Sequence, residues 1–212
     1  MTSTGPSRIP APKSAAGGLK NRAKFLGQFI TRPHVIGAVA PSSDALARRM
    51  IRDLNLGQAS AVLEYGPGTG AFTARIRSSI GPNTKFVAIE RNAALAAALR
   101  ERFPSLHVHE RSVEDVEAIC RDEGIGQVDA IVSGLPWASF PESLQRRALE
   151  VTRNVLRPGG KMVTFGYHMG RLTSAGKRFY RILPEYFPGY RFSGSVWWNL
   201  PPAFVVTCEK SA

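Results

Sequence analysis

The sequence predicts an α/β fold in which helices cover both faces of a mostly parallel, seven-stranded sheet. From Ser60 onward, short apolar runs alternate with longer segments whose apolar residues recur at helical spacing. Repeated β-α units of this kind wind into a parallel sheet. The last two apolar runs are joined only by Asn199-Leu200-Pro201-Pro202, which predicts an antiparallel hairpin at the C-terminal end of the sheet.

The predicted elements alternate along the chain. The parallel strands are expected at residues 61–65, 85–90, 107–109, 128–133 and 161–167. The helices between them are expected around residues 71–79, 93–103, 113–121 and 144–155. The hairpin strands are expected at residues 192–198 and 203–209.

Two further segments precede the alternating region. The composition of residues 1–18 predicts a disordered tail. Residues 19–30 predict an amphipathic helix, because apolar residues share one face while Lys20, Arg22 and Lys24 mark the polar side. A second helix is expected to start near Asp44. The expected organisation is a tail at 1–18, a basic helical segment at 19–56 and a ligand-binding domain at 57–212.

The charge balance predicts a polyanionic partner. The chain has 28 Lys and Arg against 16 Asp and Glu, for a formal net charge of +12. Nucleic acid and an anionic membrane surface both fit, and a solvated basic face is the alternative. Nine basic residues lie within residues 1–52, and five more are interleaved with aromatic residues at 171–191. This interleaving suits an anionic leaflet and would equally suit RNA.

Other classes of protein are disfavoured by what the sequence lacks. No run of about 18 apolar residues is available to span a bilayer. Residues 1–18 lack the apolar core of a signal peptide, so a cytoplasmic location is expected. Cys120 and Cys208 lie far apart without metal-ligand spacing, so neither a disulfide nor a metal site is expected.

A glycine-rich turn follows the first predicted strand. The pattern Gly66-x-Gly68-x-x-Ala71 lets the chain turn sharply and leaves backbone N–H groups open to a ligand. The glycines alone fit NAD and S-adenosylmethionine equally well. Glu64 favours the second, because a carboxylate there would repel a pyrophosphate but could hold a cationic amino-acid group. The alternative is that Glu64 binds a loop N–H.

Two later strand ends complete the predicted cofactor site. Glu90 ends the second strand, where a carboxylate can accept hydrogen bonds from both ribose hydroxyls. The alternative is a surface carboxylate paired with Arg91, a residue expected to be solvated or to flank the adenine. Ser112 and Val113 follow the third strand, where the adenine would lie.

Four motifs in this order resemble the class I methyltransferases. They are EYGPGTG at 64–70, the VAIE strand end, VDAIVSGLPW and the LRPGG turn. The resemblance covers residues 60–209 and implies a Rossmann-like sheet of order 3-2-1-4-5-7-6 that binds S-adenosyl-L-methionine. The cofactor contacts it implies, beyond those named above, come from Tyr65, Gly66, Pro67, Gly68, Thr69, Gly70, Ser133, Gly134 and Leu135.

The fourth predicted strand ends in Ser133-Gly134-Leu135-Pro136-Trp137. Enzymes that methylate amines of nucleic-acid bases carry Asn or Asp where this chain has Gly134, and that side chain accepts a hydrogen bond from the flipped base. Glycine cannot supply this acceptor. An activity like that of the rRNA adenine N6-dimethyltransferases is therefore an alternative, beside a small-molecule methyltransferase and a non-catalytic basic binding module.

A lipid amine is the leading hypothesis for the acceptor. Its pKa resembles that of lysine, roughly 10.4, so the enzyme must favour the neutral form. Methylated products become cationic, and aromatic faces accommodate such cations. Trp137 and Tyr167 are the predicted aromatic residues and His168 the predicted proton relay, with core packing and a structural histidine as alternatives. Trp197 and Trp198 are expected to pack in the core, or to point one inward and one outward.

A second set of motifs resembles the bacterial phospholipid N-methyltransferases and the related ornithine-lipid methyltransferases. It comprises FLxxF at 25–29, RPxxIGAVAPSS at 32–43, SGLPW and WNLPPA, and covers residues 19–209. The resemblance implies methylation of phosphatidylethanolamine and its mono- and dimethyl forms at the membrane periphery. It also implies a membrane-binding first helix and places Ser42 and Ser43 near the cofactor. Trp137 and Ser139 depart from the family pattern, which leaves the head group open.

Overall fold

The computed structural model describes residues 43–199 and 201–211. The predicted tail, the amphipathic helix at 19–30 and Ser42 lie outside the described residues. Within the described part of the chain, no helix is long and apolar enough to cross a membrane.

The strands of the described residues agree closely with the predicted pattern. They are β1 (Ala61–Tyr65), β2 (Lys85–Ile89), β3 (His107–His109), β4 (Val128–Ser133), β5 (Leu156–Tyr167), β6 (Arg191–Phe192) and β7 (Ala203–Glu209). They form one sheet in the order β3-β2-β1-β4-β5-β7-β6, which confirms the expected topology. β1 to β5 run parallel, whereas β7 runs antiparallel to both β5 and β6.

Six α-helices pack on this sheet in the described residues. They are α1 (Asp44–Ile51), α2 (Thr73–Arg77), α3 (Ala93–Arg102), α4 (Val116–Asp122), α5 (Glu142–Val155) and α6 (Ser174–Tyr186). Short 3-10 helices lie at Leu56–Gln58, Val113–Asp115, Trp137–Ser139 and His168–Leu172. Three of these helices, α1, α3 and α6, have a side-chain N-cap. Ser43, Asn92 and Thr173 each accept a hydrogen bond from a backbone N–H of the first turn.

Alternate residues of β1 face opposite layers of helices. Leu63 and Tyr65 lie in a core built with α4, α5 and α6. Val62 belongs to a second core with α1 and α2, and Ala88 of β2 packs against α3. Because Glu64 alternates with its neighbours, its side chain is directed to the layer of α1 and α2. The α/β fold with helices on both faces is thereby confirmed.

Three elements differ from the expectation. β5 begins at Leu156 rather than at Lys161, so it includes the residues of the predicted LRPGG turn. The strand expected at 192–198 ends at Phe192, and beyond it only Val196 bridges to Ala203. Helix α6 was not predicted, because Gly176 and Pro184 both lie inside it and are poor helix formers. Thr173 caps its first turn, and burial of Phe179 and Ile182 stabilises it against the sheet.

Candidate active site

The glycine-rich turn after β1 has the backbone that only glycine adopts readily. Gly66, Gly68 and Gly70 have φ angles of +59°, +57° and +81°. A Cβ atom at Gly66 would lie 2.8 Å from Cδ2 of Leu135, whereas one at Gly68 would have no atom within 4 Å. The turn is therefore packed tightly against the end of β4 at Gly66 and is open at Gly68.

Glu90 ties this turn to the end of β2. Its Oε2 accepts a hydrogen bond from the backbone N–H of Gly68 (3.1 Å), and Oε1 accepts one from the N–H of Asn92 (2.9 Å). The side chain is almost buried. The alternative of a surface carboxylate paired with Arg91 is wrong, since Glu90 bonds to backbone groups and Arg91 is exposed.

Glu64 is fully buried, and only one of its two carboxyl oxygens has a hydrogen-bond partner among the described residues. Its Oε2 accepts a hydrogen bond from the hydroxyl of Thr73 (2.7 Å), while Oε1 has no partner among the described residues. Burial raises the pKa of Glu64 to about 8; the Thr73 hydrogen bond opposes this shift and the charge of Glu90 adds to it. A buried acceptor without a donor is costly, so this atom is suited to receive a donor from a ligand.

The turn after β4 is fitted to the turn after β1. Gly134 donates its N–H to the carbonyl of Tyr65 (2.7 Å), and a Cβ at Gly134 would lie 2.6 Å from the carbonyl oxygen of Gly66. The absence of a side chain at this position is therefore required by packing. An Asn or Asp acceptor could enter here only if the glycine-rich turn moved.

The substitution Gly134→Asn tests this fit. We expect it to destabilise the fold by roughly 1–3 kcal/mol, as overpacking typically does, and to weaken cofactor binding by displacing Gly66. Thermal unfolding and calorimetric titration with S-adenosylmethionine measure both effects. Gly126→Asn is the matched control, because a Cβ there meets nothing within 4 Å. Unchanged cofactor affinity in Gly134→Asn would contradict the proposed role of the turn.

Trp137 lies in the core, in agreement with the alternative that it is a core-packing residue. Its side chain is 3% exposed, its ring stacks on Phe179 with centroids 5.1 Å apart, and Phe140 meets it edge-on at 5.9 Å. Its Nε1 donates to Oγ of Ser133 (3.1 Å). Because the side chain is 3% exposed and its indole N–H is engaged, the ring offers no open face for an amine in this structure.

Ser133 is turned toward the same core. Its buried hydroxyl also accepts a weaker hydrogen bond from the N–H of Leu135 (3.4 Å). Ser133 and Trp137 thus hold the SGLPW turn in shape. A direct cofactor contact through the Ser133 hydroxyl would have to compete with these partners.

A cluster of polar groups lies where β5 ends and β7 begins. Asn199 is buried, and its Oδ1 accepts a hydrogen bond from the backbone N–H of Ser43 (3.0 Å). Asn199 also hydrogen-bonds the phenol of Tyr167, whose pKa is raised by burial and held back by this bond. His168 is exposed next to it, with Nε2 2.9 Å from Oγ of Ser195.

The remaining predicted residues lie around the same edge of the sheet, because the parallel strands β1, β2 and β4 all end there. Tyr65 itself points into the core, and its phenol oxygen is 3.4 Å from the hydroxyl of Thr152. Pro67 is buried and Thr69 is exposed within the turn. Ser112 caps the 3-10 helix after β3, and Val113 is buried against the core.

Sequence reasoning missed two residues of this edge. Thr73 is the hydrogen-bond donor to Glu64, and its position three residues after Gly70, in the first turn of α2, is the signal that was available. Asn199 connects Ser43 to Tyr167, and its place in the WNLPPA motif marked it as a candidate.

The sheet order, the positive-φ glycine turn and the carboxylate at the end of β2 define the class I S-adenosylmethionine-dependent methyltransferases, and the chain is an enzyme of this class. Residues 62–160 match the methyltransferase domain family. The chain belongs to the same family as the ornithine lipid N-methyltransferase of Singulisphaera acidiphila. The two are 36% identical over 193 residues, which are 87% of this chain and 94% of the relative.

Solved structures share the fold at low sequence identity. The O-methyltransferase from Bacillus cereus in complex with SAH superposes with a TM-score of 0.62 at 15% identity, covering 94% of this chain and 92% of that one. TrmN from Thermus thermophilus superposes with a TM-score of 0.58 at 18% identity, covering 78% of this chain. This chain spans 48% of the length of TrmN.

S-adenosylmethionine is the cofactor, and the geometry of the site fits it. Oε1 of Glu64, which has no hydrogen-bond partner among the described residues, suits the ammonium of the amino-acid end, directly or through water. The open backbone at Gly68 leaves room for a ligand. Glu90 would exchange a backbone N–H for ribose hydroxyls. When bound, S-adenosylmethionine supplies an electrophilic methyl group on a sulfonium.

Proposed function

We propose that this enzyme transfers methyl groups from S-adenosylmethionine to the amine of a membrane phospholipid head group. The proposed acceptors are phosphatidylethanolamine and its mono- and dimethyl forms. The observation that carries the proposal is the similarity to a lipid N-methyltransferase, which extends over almost the full length of both chains. The basic charge of the chain suits an enzyme that must reach its acceptor at an anionic surface.

Gly134 supports a lipid amine over a nucleobase amine. A base must be held by hydrogen bonds to its edge after it leaves the stack, and the amino-methylating enzymes use a side chain at this position. Here the position holds no side chain, and the distance of 2.6 Å from a built Cβ to the Gly66 carbonyl oxygen explains why. A flexible aliphatic amine needs no such edge recognition.

The chain must also remove a proton before the amine can react. An ammonium has no lone pair, so its proton has to pass to a base or to solvent. His168 is the candidate relay, because it is exposed at the carboxyl end of β5 and its Nε2 contacts the hydroxyl of Ser195. Tyr167 lies one residue earlier and is oriented by Asn199, which places a phenol at the same strand end.

Methyl transfer from radiolabelled S-adenosylmethionine tests the proposal. We expect label in phosphatidylethanolamine vesicles and little in total RNA. A parallel assay with ornithine lipid is included because the relative from Singulisphaera acidiphila bears that substrate in its name. Label in ornithine lipid alone would correct the head group, and label in RNA with none in lipid would overturn the proposal.

Glu90→Ala provides the control for contaminating activity. Loss of hydrogen bonds to a charged group should weaken S-adenosylmethionine binding by roughly 1.5–3 kcal/mol, so lipid labelling at limiting cofactor should fall at least tenfold. Glu101→Ala changes an exposed carboxylate on α3 and should leave labelling intact. Equal labelling by the Glu90→Ala variant would remove Glu90 from the site.

A further inference from the structure

The large exposed apolar side chains of the described residues are concentrated in one part of the chain. Those most exposed are Met169, Leu172, Trp197 and Trp198, with exposed fractions of 64%, 65%, 72% and 89%. The expectation that the tryptophans pack in the core, or alternate inward and outward, is wrong. They follow the early end of β6 and lie in a turn, so neither is covered by the sheet. We call these four residues the apolar rim.

Contacts between two segments bring the rim residues together. Met169 and Leu172 belong to the 3-10 helix His168–Leu172, whose first residue contacts Ser195 (2.9 Å). The ring of His168 also lies 5.3 Å from that of Phe204, at the start of β7. Val196, directly before the tryptophans, pairs with Ala203, which in turn lies opposite Tyr167. The two segments therefore adjoin at the carboxyl end of β5.

The rim lies on the edge of the sheet that carries the cofactor turn. β1, β4 and β5 are parallel, and Tyr65, Ser133 and Thr164 share one register level. The chain passes from this level to Tyr167 and then directly into the 3-10 helix. A surface that docks through the rim would thus face the side of the enzyme where methyl transfer takes place.

Positive charge accompanies the exposed apolar side chains. Arg171 lies between Met169 and Leu172 in sequence, and its guanidinium packs over the rings of Phe192 (4.8 Å) and Phe204 (5.4 Å). Lys177 is exposed in the first turns of α6. In the described part of the chain, neither cation forms an ion pair with a carboxylate. Both charges remain available to an anionic surface.

We propose that the apolar rim docks the enzyme on an anionic lipid bilayer, with Trp197 and Trp198 entering the boundary between head groups and acyl chains. Tryptophan is favoured at this boundary because it combines a large apolar ring with a polar N–H. Apolar burial and attraction of Arg171 and Lys177 to anionic lipid then add. This inference rests on the proposed lipid substrate and assigns its point of entry to the rim.

Tryptophan fluorescence offers a direct test, because the chain has three tryptophans and the third, Trp137, is buried. Without lipid, acrylamide should quench the emission of Trp197 and Trp198. Anionic vesicles of equal parts phosphatidylglycerol and phosphatidylcholine should shift the emission to shorter wavelength and protect it from acrylamide. Brominated acyl chains should quench it. Emission that acrylamide cannot reach before lipid is added would show that another segment covers the rim, and would overturn the proposal.

Paired variants separate apolar docking from other effects. We expect W197S/W198S to weaken vesicle binding by about tenfold or more, since binding scales with buried apolar area, and W197F/W198F to retain most of it. Lys177→Gln should weaken binding to anionic vesicles more than the control Arg153→Gln does. Arg153 is also an exposed charge, but it lies in the last turn of α5, outside the apolar rim. If W197S/W198S bound vesicles as tightly as the wild type, the proposal that the rim docks on lipid would be overturned. Binding of the wild type to RNA but not to vesicles would also overturn it.

Activity in detergent micelles distinguishes this proposal from the proposed function. W197S/W198S should methylate micelle-dispersed lipid within about twofold of the wild type, because micelles deliver the substrate without a bilayer. It should lose activity on vesicles. If the wild type methylated no lipid in either form, the proposed substrate would be wrong. If it methylated both while the variant matched it on vesicles, only the rim would be wrong.

Discussion

Replacing Trp137 with alanine is expected to lower the free energy of unfolding by roughly 3–5 kcal/mol, the range for deleting a large buried aromatic side chain. The indole is 3% exposed, stacks on Phe179 and donates its N–H to Ser133. Its removal would leave a cavity between the SGLPW turn and α6, and the Ser133 hydroxyl would keep only its weaker hydrogen bond from the N–H of Leu135. Equilibrium unfolding in urea measures the loss.

Trp137→Phe separates packing from a direct role in the reaction. Phenylalanine keeps much of the ring contact with Phe179 but cannot donate to Ser133. If Trp137 acts through packing, this variant should be intermediate in stability, and its turnover should recover wherever it remains folded. A folded Trp137→Ala variant of wild-type stability that cannot methylate an amine would restore Trp137 as an acceptor-binding residue.

The substitution Glu64→Gln is expected to stabilise the cofactor-free protein while weakening cofactor binding. The pKa of the Glu64 carboxyl is about 8 in the folded chain against 4.5 for an unperturbed glutamate, so folding at pH 7 must take up a proton. Because pH 7 lies well above the ordinary pKa of glutamate, keeping this proton lowers the stability of the folded chain by roughly 3 kcal/mol, which glutamine would recover. Glu101→Gln, at an exposed position on α3, should change stability little.

The pH dependence follows from the raised pKa. Below pH 4.5 Glu64 is protonated in both states and carries no penalty. Between pH 4.5 and about 8 the unfolded chain ionises while the folded chain holds the proton, so the wild type loses stability relative to Glu64→Gln. Above pH 8 the difference levels off. A difference between the two proteins that grew toward low pH would contradict the burial of a neutral Glu64.

Cofactor binding should reverse this protonation. An ammonium at Oε1 favours the carboxylate, so binding at pH 7 should release up to one proton, which calorimetry in buffers of different ionisation enthalpy detects. The nearby charge of Glu90 opposes ionisation, and the Thr73 hydroxyl supports it. Glu64→Gln should bind S-adenosylmethionine on the order of 10–100-fold more weakly and release no proton. If the variant released as many protons on binding as the wild type, the proton would come from a group other than Glu64.

Much of the fold could be predicted because its signals are local. The strands β1 to β4 are short apolar runs whose neighbours in sequence are also neighbours in the sheet, and their positions agree with prediction to within one residue. Glu64 and Glu90 were identified by their positions relative to the glycines, which fix where a strand ends. These features depend on a few adjacent residues and require no knowledge of distant contacts.

The parts that escaped prediction depend on packing between distant residues. Helix α6 contains Gly176 and Pro184 and owes its stability to burial on the sheet, which propensity does not report. Trp137 and Trp198 are alike as residues, yet one is 3% and the other 89% exposed. Trp137 is covered by Phe179, which belongs to a helix more than forty positions further along the chain. No ring of the described residues covers Trp198 in this way.

The close approach of Gly134 to the Gly66 carbonyl also restricts how this enzyme can evolve. The two turns occupy each other's space, so a side chain gained at position 134 would be harmful until the turn at 66 had shifted. The order in which substitutions accumulate therefore matters, because a side chain at position 134 needs an earlier change in the glycine-rich turn. Libraries that aim to redirect the acceptor should vary positions 66, 134 and 135 together.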